Sequence, residues 1–308
     1  MTRSGFKADD ARRDVLMTDL IACKKWLRIL TISLAVSSAA LLPTTWVILR
    51  PASWACQQNV ASSEIFQGIV YGCRQLNRTE EGSGSVHWVR IDLTAPGIEL
   101  YVTPLDATAV AHGWQYRLRR IKDVVNEEKL AVAINGTLFT SDSNRLIRMS
   151  GDFARSVETV VADHVVSHIW EHTYLLWFDS ALAPHLRPAK PPTTAELAAA
   201  KWGIGGQAVW LREGHVWPGS DRTPDSRTAV AIDGPRKLLY LAIAQHVSPR
   251  LLLEELADLG AKDGMLLDGG GSSSMAIGGA AKGIAAGRYG GWRPVATQFG
   301  VRALAIRR

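Results

Sequence analysis

The run Met265-Leu266-Leu267-Asp268-Gly269-Gly270-Gly271-Ser272-Ser273-Ser274 holds the densest chemistry in the chain. A carboxylate at the end of an apolar run is placed to serve as acid, base or nucleophile. The three glycines after it let backbone approach a ligand closely and adopt positive φ. Successive exposed N–H groups in such a turn form a concave anion site, to which Ser272 and Ser273 add hydroxyl donors. Spacing alone leaves open a plain turn in which Asp268 caps nearby amides. A nucleotide P-loop is excluded, because it needs Lys after its last glycine and Ser272 stands there. No Gly-x-Ser-x-Gly elbow occurs, so an α/β-hydrolase triad is not expected.

Two arginines sit beside turns. Ser226-Arg227-Thr228 opens an apolar run after a polar loop, and Trp292-Arg293-Pro294 precedes another. A guanidinium keeps its charge and pairs bidentately with phosphate, although surface arginines look the same at this level. Asn135-Gly136-Thr137 follows the apolar run 131–134 and puts further polar groups at a strand end, or else forms a simple Asn-Gly turn. His168-Ile169-Trp170-Glu171-His172, with His164 upstream, matches a zinc-protease pattern. Its β-branched and aromatic neighbours favour a strand, and so histidines in surface or packing positions. No C-x-x-C spacing exists; no metal or cofactor is expected, and nothing supports a divalent cation.

Five segments occur in a telling order: 133–139 (Ala-Ile-Asn-Gly-Thr-Leu-Phe), Gly205-Gly206, 226–230 (Ser-Arg-Thr-Ala-Val), 267–273 (Leu-Asp-Gly-Gly-Gly-Ser-Ser) and 293–297 (Arg-Pro-Val-Ala-Thr). Together they resemble the phosphodiester glycosidase family over about residues 86–306. The resemblance implies a hydrolase of sugar 1-phosphodiesters acting on a surface glycan or exopolysaccharide. Arg227 and Arg293 would hold the phosphate, helped by Gly269, Gly270, Gly271, Ser272 and Ser273. Asp268 would be the catalytic carboxylate and Asn135 would orient substrate or water. Thr137, Thr228, Gly205 and Gly206 would line the substrate site. Phosphate leaves readily, so an obligatory partner acid is not required, which would explain why no paired-carboxylate signature is visible. The alternative is a non-catalytic binding or assembly protein for anionic exopolysaccharide using the same pocket.

These residues need strands that end together. Residues 86–93 alternate, and with 98–103 across Ala95-Pro96-Gly97 they read as a hairpin. Strands are expected at 131–134, 172–178, 208–211, 228–232 and 238–244, the last two joined through Asp233-Gly234-Pro235-Arg236. Residues 117–129 read as a helix, 184–192 as a Pro-rich loop, and 294–306 as a terminal strand region. One further helix is well marked: Ser248 caps it, Pro249 suits its first position and Gly260 its end. Strands outnumber helices, so the expected class is α+β, a mixed, strand-rich single catalytic domain over 86–308.

Ahead of it, 29–49 carries no charge over 21 residues, the length that spans a bilayer core. Seven Lys/Arg precede it within 1–28, while only Arg50 follows before Arg74. The positive-inside bias keeps that basic segment cytoplasmic and exports the remainder, as a single-pass membrane protein with a periplasmic or extracellular domain. Residues 50–85 read as a polar linker. On the exported side Cys56 and Cys73 are expected to pair as a disulfide. The formal net charge is +6, but the first 50 residues carry +4 of it. No basic face remains for nucleic acid.

Overall fold

The computed structural model describes Cys56 and residues 62–77, 80–142, 148–170, 174–187, 190–284 and 287–306. The basic segment 1–28 and the expected span 29–49 lie outside the described residues. Among the described residues no helix is long and apolar enough to cross a membrane.

Among the described residues the fold is strand-rich and mixed, with four sheets and few helices. The largest sheet has eight strands in the order Ser63–Phe66, Ile69–Asn77, Ser83–Asp92, Leu238–Val247, Asp225–Asp233, Asp263–Leu266, Ala208–Arg212, His215–Val216. A five-stranded sheet runs Gly287–Gly290, Ser274–Ile277, Val132–Asn135, Gln298–Arg302, Glu99–Val102. A second runs Val165–Val166, Val160–Ala162, Trp202–Gly206, Tyr174–Phe178, Pro184–Arg187. Tyr116–Arg117, Phe153–Ser156 and Phe139–Ser141 form a small fourth sheet.

Two-residue alternation explains how the large sheet is covered on both faces. Val230, Ile232, Leu239, Leu241 and Ile243 point into a central core shared with Val132, Ile134, Phe299 and Phe178 of the five-stranded sheets. Their sequence neighbours Ala229, Ala231, Tyr240, Ala242 and Ala244 face the helix Pro249–Asp258 through Leu252, Leu253 and Leu256. Alanines on that face let the helix approach closely. Ser248 Oγ accepts the Leu251 N–H at 3.1 Å, and Gly260 takes φ +103°, as the capping pattern requires.

Several expectations change. The supposed hairpin of 86–93 with 98–103 does not form: Ser83–Asp92 pairs with Ile69–Asn77 and Leu238–Val247, while Glu99–Val102 pairs with Gln298–Arg302 in another sheet. The turn between them is a crossing between layers, which alternation in a single segment does not distinguish from a hairpin. Residues 63–77, expected as linker, are two strands of the large sheet; Ile65, Phe66, Ile69 and Tyr71 are core residues. The Pro-rich run contains an edge strand, Pro184–Arg187, where a residue lacking an N–H is tolerated. The helix expected over 117–129 is shorter, Ile121–Glu127.

Cys56 and Cys73, 17 positions apart in sequence, are joined in a disulfide with Cα atoms 5.6 Å apart. In the chain-entropy account a loop of this length is worth about 3 kcal/mol. It fastens residue 56 to the strand Ile69–Asn77, beside the buried ring of His87.

Candidate active site

Three sheets run out at one place. Asp263–Leu266 of the large sheet delivers Asp268, Val132–Asn135 delivers Asn135, and Trp202–Gly206 delivers Gly205 and Gly206. Backbone bonds sew the ends together: Asp268 N–H to Gly136 C=O at 3.0 Å, Leu267 N–H to Thr228 C=O at 2.9 Å, and Gln207 N–H to Leu266 C=O at 3.0 Å.

Asn135 is the buried clasp of this junction. Its Nδ2 donates to the Asp268 carbonyl at 2.7 Å, and its Oδ1 accepts from Thr228 Oγ1 at 2.8 Å and from Ser274 N–H at 3.0 Å. The side chain is fully buried and these bonds hold both ends of the Gly-Ser turn, so its amide is engaged within the protein. Thr137 is likewise internal, bonded to Thr297 Oγ1 at 2.9 Å and accepting from Ser156 Oγ at 2.8 Å. Asn135→Ala strands a carbonyl, a hydroxyl and an N–H in the interior, each worth about 1–3 kcal/mol. Calorimetry should show a melting midpoint lower by roughly 10 °C for a domain of this size.

The residue that sequence reading missed is Glu158. It lies between the strands Phe153–Ser156 and Val160–Ala162, buried at 6% exposure. Burial, then the nearby Asp268 carboxylate, raises its pKa from 4.5 to about 8. Burial also raises Asp268, from 3.8 to about 6, opposed by the Ser272 hydroxyl, the Gly269 N–H and the Arg148 charge. The Ser272 hydroxyl lies close to that carboxylate without a hydrogen bond of good geometry. At neutral pH the pair therefore holds one proton, on Glu158. A Cβ on Gly205 would stand 2.4 Å from Glu158 Cβ and 2.8 Å from Thr159 C=O, and one on Gly206 2.5 Å from Leu266 C=O. These glycines act by letting the carboxylate loop and the Asp268 strand come close. The only trace in sequence was an acid set in Ser156-Val157-Glu158-Thr159-Val160-Val161.

The turn after Asp268 is a tight 3-10 turn over Gly270–Ser272, with Gly270 at φ +58°. The N–H groups of Ser272 and Ser273 are spent inside it, on Gly269 and Gly270 carbonyls at 3.2 Å each. The open cradle of successive amides expected from the glycine run is thus partly closed, and the serine hydroxyls become the notable donors. Arg227 stands beside Gly269, its Cδ and one terminal nitrogen 4.0 Å from where a Gly269 Cβ would be. A bulge between Asp225 and Arg227 turns it there, and its Nη2 donates to Thr223 C=O at 2.9 Å. Arg293 reaches the other side of the turn, 3.7 Å from the corresponding position on Gly271. Arg293 and Arg148 both lie over the Phe139 ring, 5.4 Å and 4.8 Å from its centroid. Neither guanidinium has an ion-pair partner among the described residues.

Five buried side-chain polar atoms lack a hydrogen bond among the described residues: Glu158 Oε2, Arg227 Nε, Ser272 Oγ, Ser273 Oγ and Tyr101 OH. All but the last belong to this site. An unsatisfied buried polar atom costs about 1–3 kcal/mol, so their gathering marks a place built for a polar ligand.

The zinc-protease pattern is not assembled. His164 occupies the turn between Val160–Ala162 and Val165–Val166 with φ +66°, whereas His168 lies beyond that hairpin against Val157 C=O; Glu171 and His172 lie outside the described residues. Among the described residues one trio has metal-ligating atoms within 4.8 Å of one another, Cys56, Cys73 and His87, and its two sulfurs are bonded to each other.

Residues 128–302 match the phosphodiester glycosidase family. No curated protein matches the sequence. Among solved structures, the zebrafish N-acetylglucosamine-1-phosphodiester alpha-N-acetylglucosaminidase catalytic domain, auto-inhibited by its pro-peptide, superposes with a TM-score of 0.55 at 14% identity, covering 82% of this chain and 86% of that one. A hypothetical protein from Synechocystis gives a TM-score of 0.45 at 15% identity, over 76% of this chain and 62% of that one. The first likeness is one of fold.

Proposed function

The chain belongs to the phosphodiester glycosidase family, and on that footing we propose that it hydrolyses sugar 1-phosphodiesters in a surface glycan or exopolysaccharide. The observation that carries the reading is the convergence of Glu158, Asp268, Arg227, Ser272 and Ser273 on one site with four buried polar atoms left unsatisfied. Two hydroxyls and a guanidinium offer what a phosphodiester oxygen requires, and fixed donors in a site short of water stabilise negative charge strongly.

Asp268, ionised near neutral pH, draws the proton from a water as that water attacks the anomeric carbon. The anomeric C–O bond breaks and its electrons leave with the phosphate. Arg227 and Arg293 receive that charge, and protonated Glu158 supplies a hydrogen bond or its proton to the departing oxygen. Asn135 and Thr228 hold the Asp268 backbone in place rather than touching substrate. Activity should peak between about pH 6 and pH 8, falling on the acid side as Asp268 gains a proton and on the alkaline side as Glu158 loses one.

The test is release of free sugar and phosphomonoester from a synthetic sugar 1-phosphodiester by the full-length protein. Ligand binding without any product would favour the second reading, a binding or assembly protein for anionic polysaccharide. Arg293→Ala should raise KM by about 10–100-fold, the worth of one charged hydrogen bond to phosphate, with a smaller change in kcat. An unchanged KM removes Arg293 from the phosphate site. The uncharged run 29–49, with its basic flank on one side, supports an anchored domain outside the cytoplasm. A reporter joined after Arg308 should be active only there.

A further inference from the structure

Nine large apolar side chains stand exposed among the described residues, and five of them, Leu138, Met149, Ile169, Trp170 and Trp292, at 37–54% exposure, belong to backbone segments that adjoin residues of the site. Each is tied to a residue already placed there. Leu138 C=O accepts the Val157 N–H at 2.8 Å, next to Glu158. Trp170 N–H donates to Thr159 Oγ1 at 3.0 Å, on the other side of Glu158, and Ile169 precedes it. Met149 follows Arg148, whose guanidinium rests on Phe139. Trp292 sits between Arg293 and Gly291, and the Gly291 N–H is held by Ser273 C=O at 2.7 Å.

Cationic and polar groups bordered by exposed apolar side chains are complementary to an amphiphile: the guanidiniums match a phosphate and the apolar border, a collar, matches hydrocarbon. Tryptophans alone would suit the faces of further sugar rings. Leucine, methionine and isoleucine do not stack on a pyranose and offer no hydrogen bond to its hydroxyls, but they do take up an alkyl chain. Indoles belong equally in such a rim, where one edge is apolar and the other wet. Resting on the phosphodiester reading above, we infer that the alcohol on the far side of the phosphate is a long-chain lipid alcohol, so that the substrate is a sugar 1-phospholipid. Exposed apolar area then contributes to substrate binding.

Affinity should grow with alkyl length. Fully burying one methylene is worth about fourfold, and a half-open collar roughly twofold. Full-length protein carrying Asp268→Asn, which binds without turnover, is titrated calorimetrically with methyl, butyl and octyl sugar 1-phosphodiesters below their micelle concentrations. The octyl compound should bind at least tenfold more tightly than the methyl one. Adding Met149→Ser and Trp170→Ser in the same detergent should cut that gain below threefold and leave the methyl compound unaffected, which separates the collar from partitioning into detergent. A flat series overturns the inference, as does a gain that survives the two rim substitutions. It also falls if a glycosyl aglycone of octyl size binds as tightly and depends equally on Trp170. Rising affinities without product from the unsubstituted protein would strike the hydrolase reading and leave the lipid aglycone standing; turnover with flat affinities would do the reverse.

Discussion

Asp268→Asn should lower kcat on a sugar 1-phosphodiester by about a thousandfold, within the range that a positioned general base or nucleophile supplies. The substitution keeps the shape of the side chain and removes its ability to take a proton. The surrounding backbone should stay in place, because it is held by main-chain and Asn135 bonds: Asp268 N–H to Gly136 C=O, and Asn135 Nδ2 to Asp268 C=O. Loss of turnover should therefore come with a melting midpoint at pH 7 no lower than the parent's, since a buried charge is removed, and near-parental affinity for a non-hydrolysable phosphonate. Steady-state kinetics beside calorimetry checks all three. Full activity in this variant would remove Asp268 from the chemistry and leave the mechanism without a base.

Glu158→Gln produces two effects with different causes. A neutral amide has no proton to lose near pH 8, so the alkaline limb of the rate profile should disappear and the acid limb near pH 6 should remain. With the acid gone, kcat at pH 7 should fall about a hundredfold for substrates whose leaving phosphate needs protonation. Stability moves the opposite way. The folded protein holds the Glu158 proton up to about pH 8, whereas the unfolded chain releases it near 4.5. Between those values the native state binds more protons than the unfolded state. Stability conferred by the protonated carboxyl is complete below about pH 4.5 and lost as pH rises to about 8. At pH 9 an ionised Glu158 costs the folded state on the order of a few kcal/mol. Glu158→Gln should then melt several degrees higher at pH 9 and about equally at pH 4, as scanning calorimetry at the two pH values would show. A midpoint equal to the parent's at pH 9 would mean that Glu158 is not strained there, and the proton assigned to it would be withdrawn.

The site is written partly in local sequence and partly in contacts that only folding supplies. Asp268 was legible because a carboxylate after three apolar residues and before three glycines is chemically conspicuous in one dimension. Glu158 was not, since its meaning rests on Asp268, over a hundred positions later, and on the burial that keeps it protonated. Arg148 was passed over for the same reason: its relation to Phe139 and Asp268 exists only in three dimensions. Asn135 was found but its use is internal, because a strand end looks alike whether its side chain faces substrate or clasps a neighbouring loop.

By itself the order of residues determined the strand-rich α+β class, the capped helix Pro249–Asp258, the hairpin through Asp233-Gly234-Pro235-Arg236 and the family to which the chain belongs. Each of these is written in neighbours: alternation, a cap, a turn, a run of glycines. Tertiary structure alone decided that 63–77 joins the large sheet, that 86–93 and 98–103 part company, and that the charge of Asp268 reaches a buried Glu158 and raises its pKa. Backbone pairing and electrostatic coupling act through space, and the interior lowers the dielectric between groups that the polymer keeps far apart.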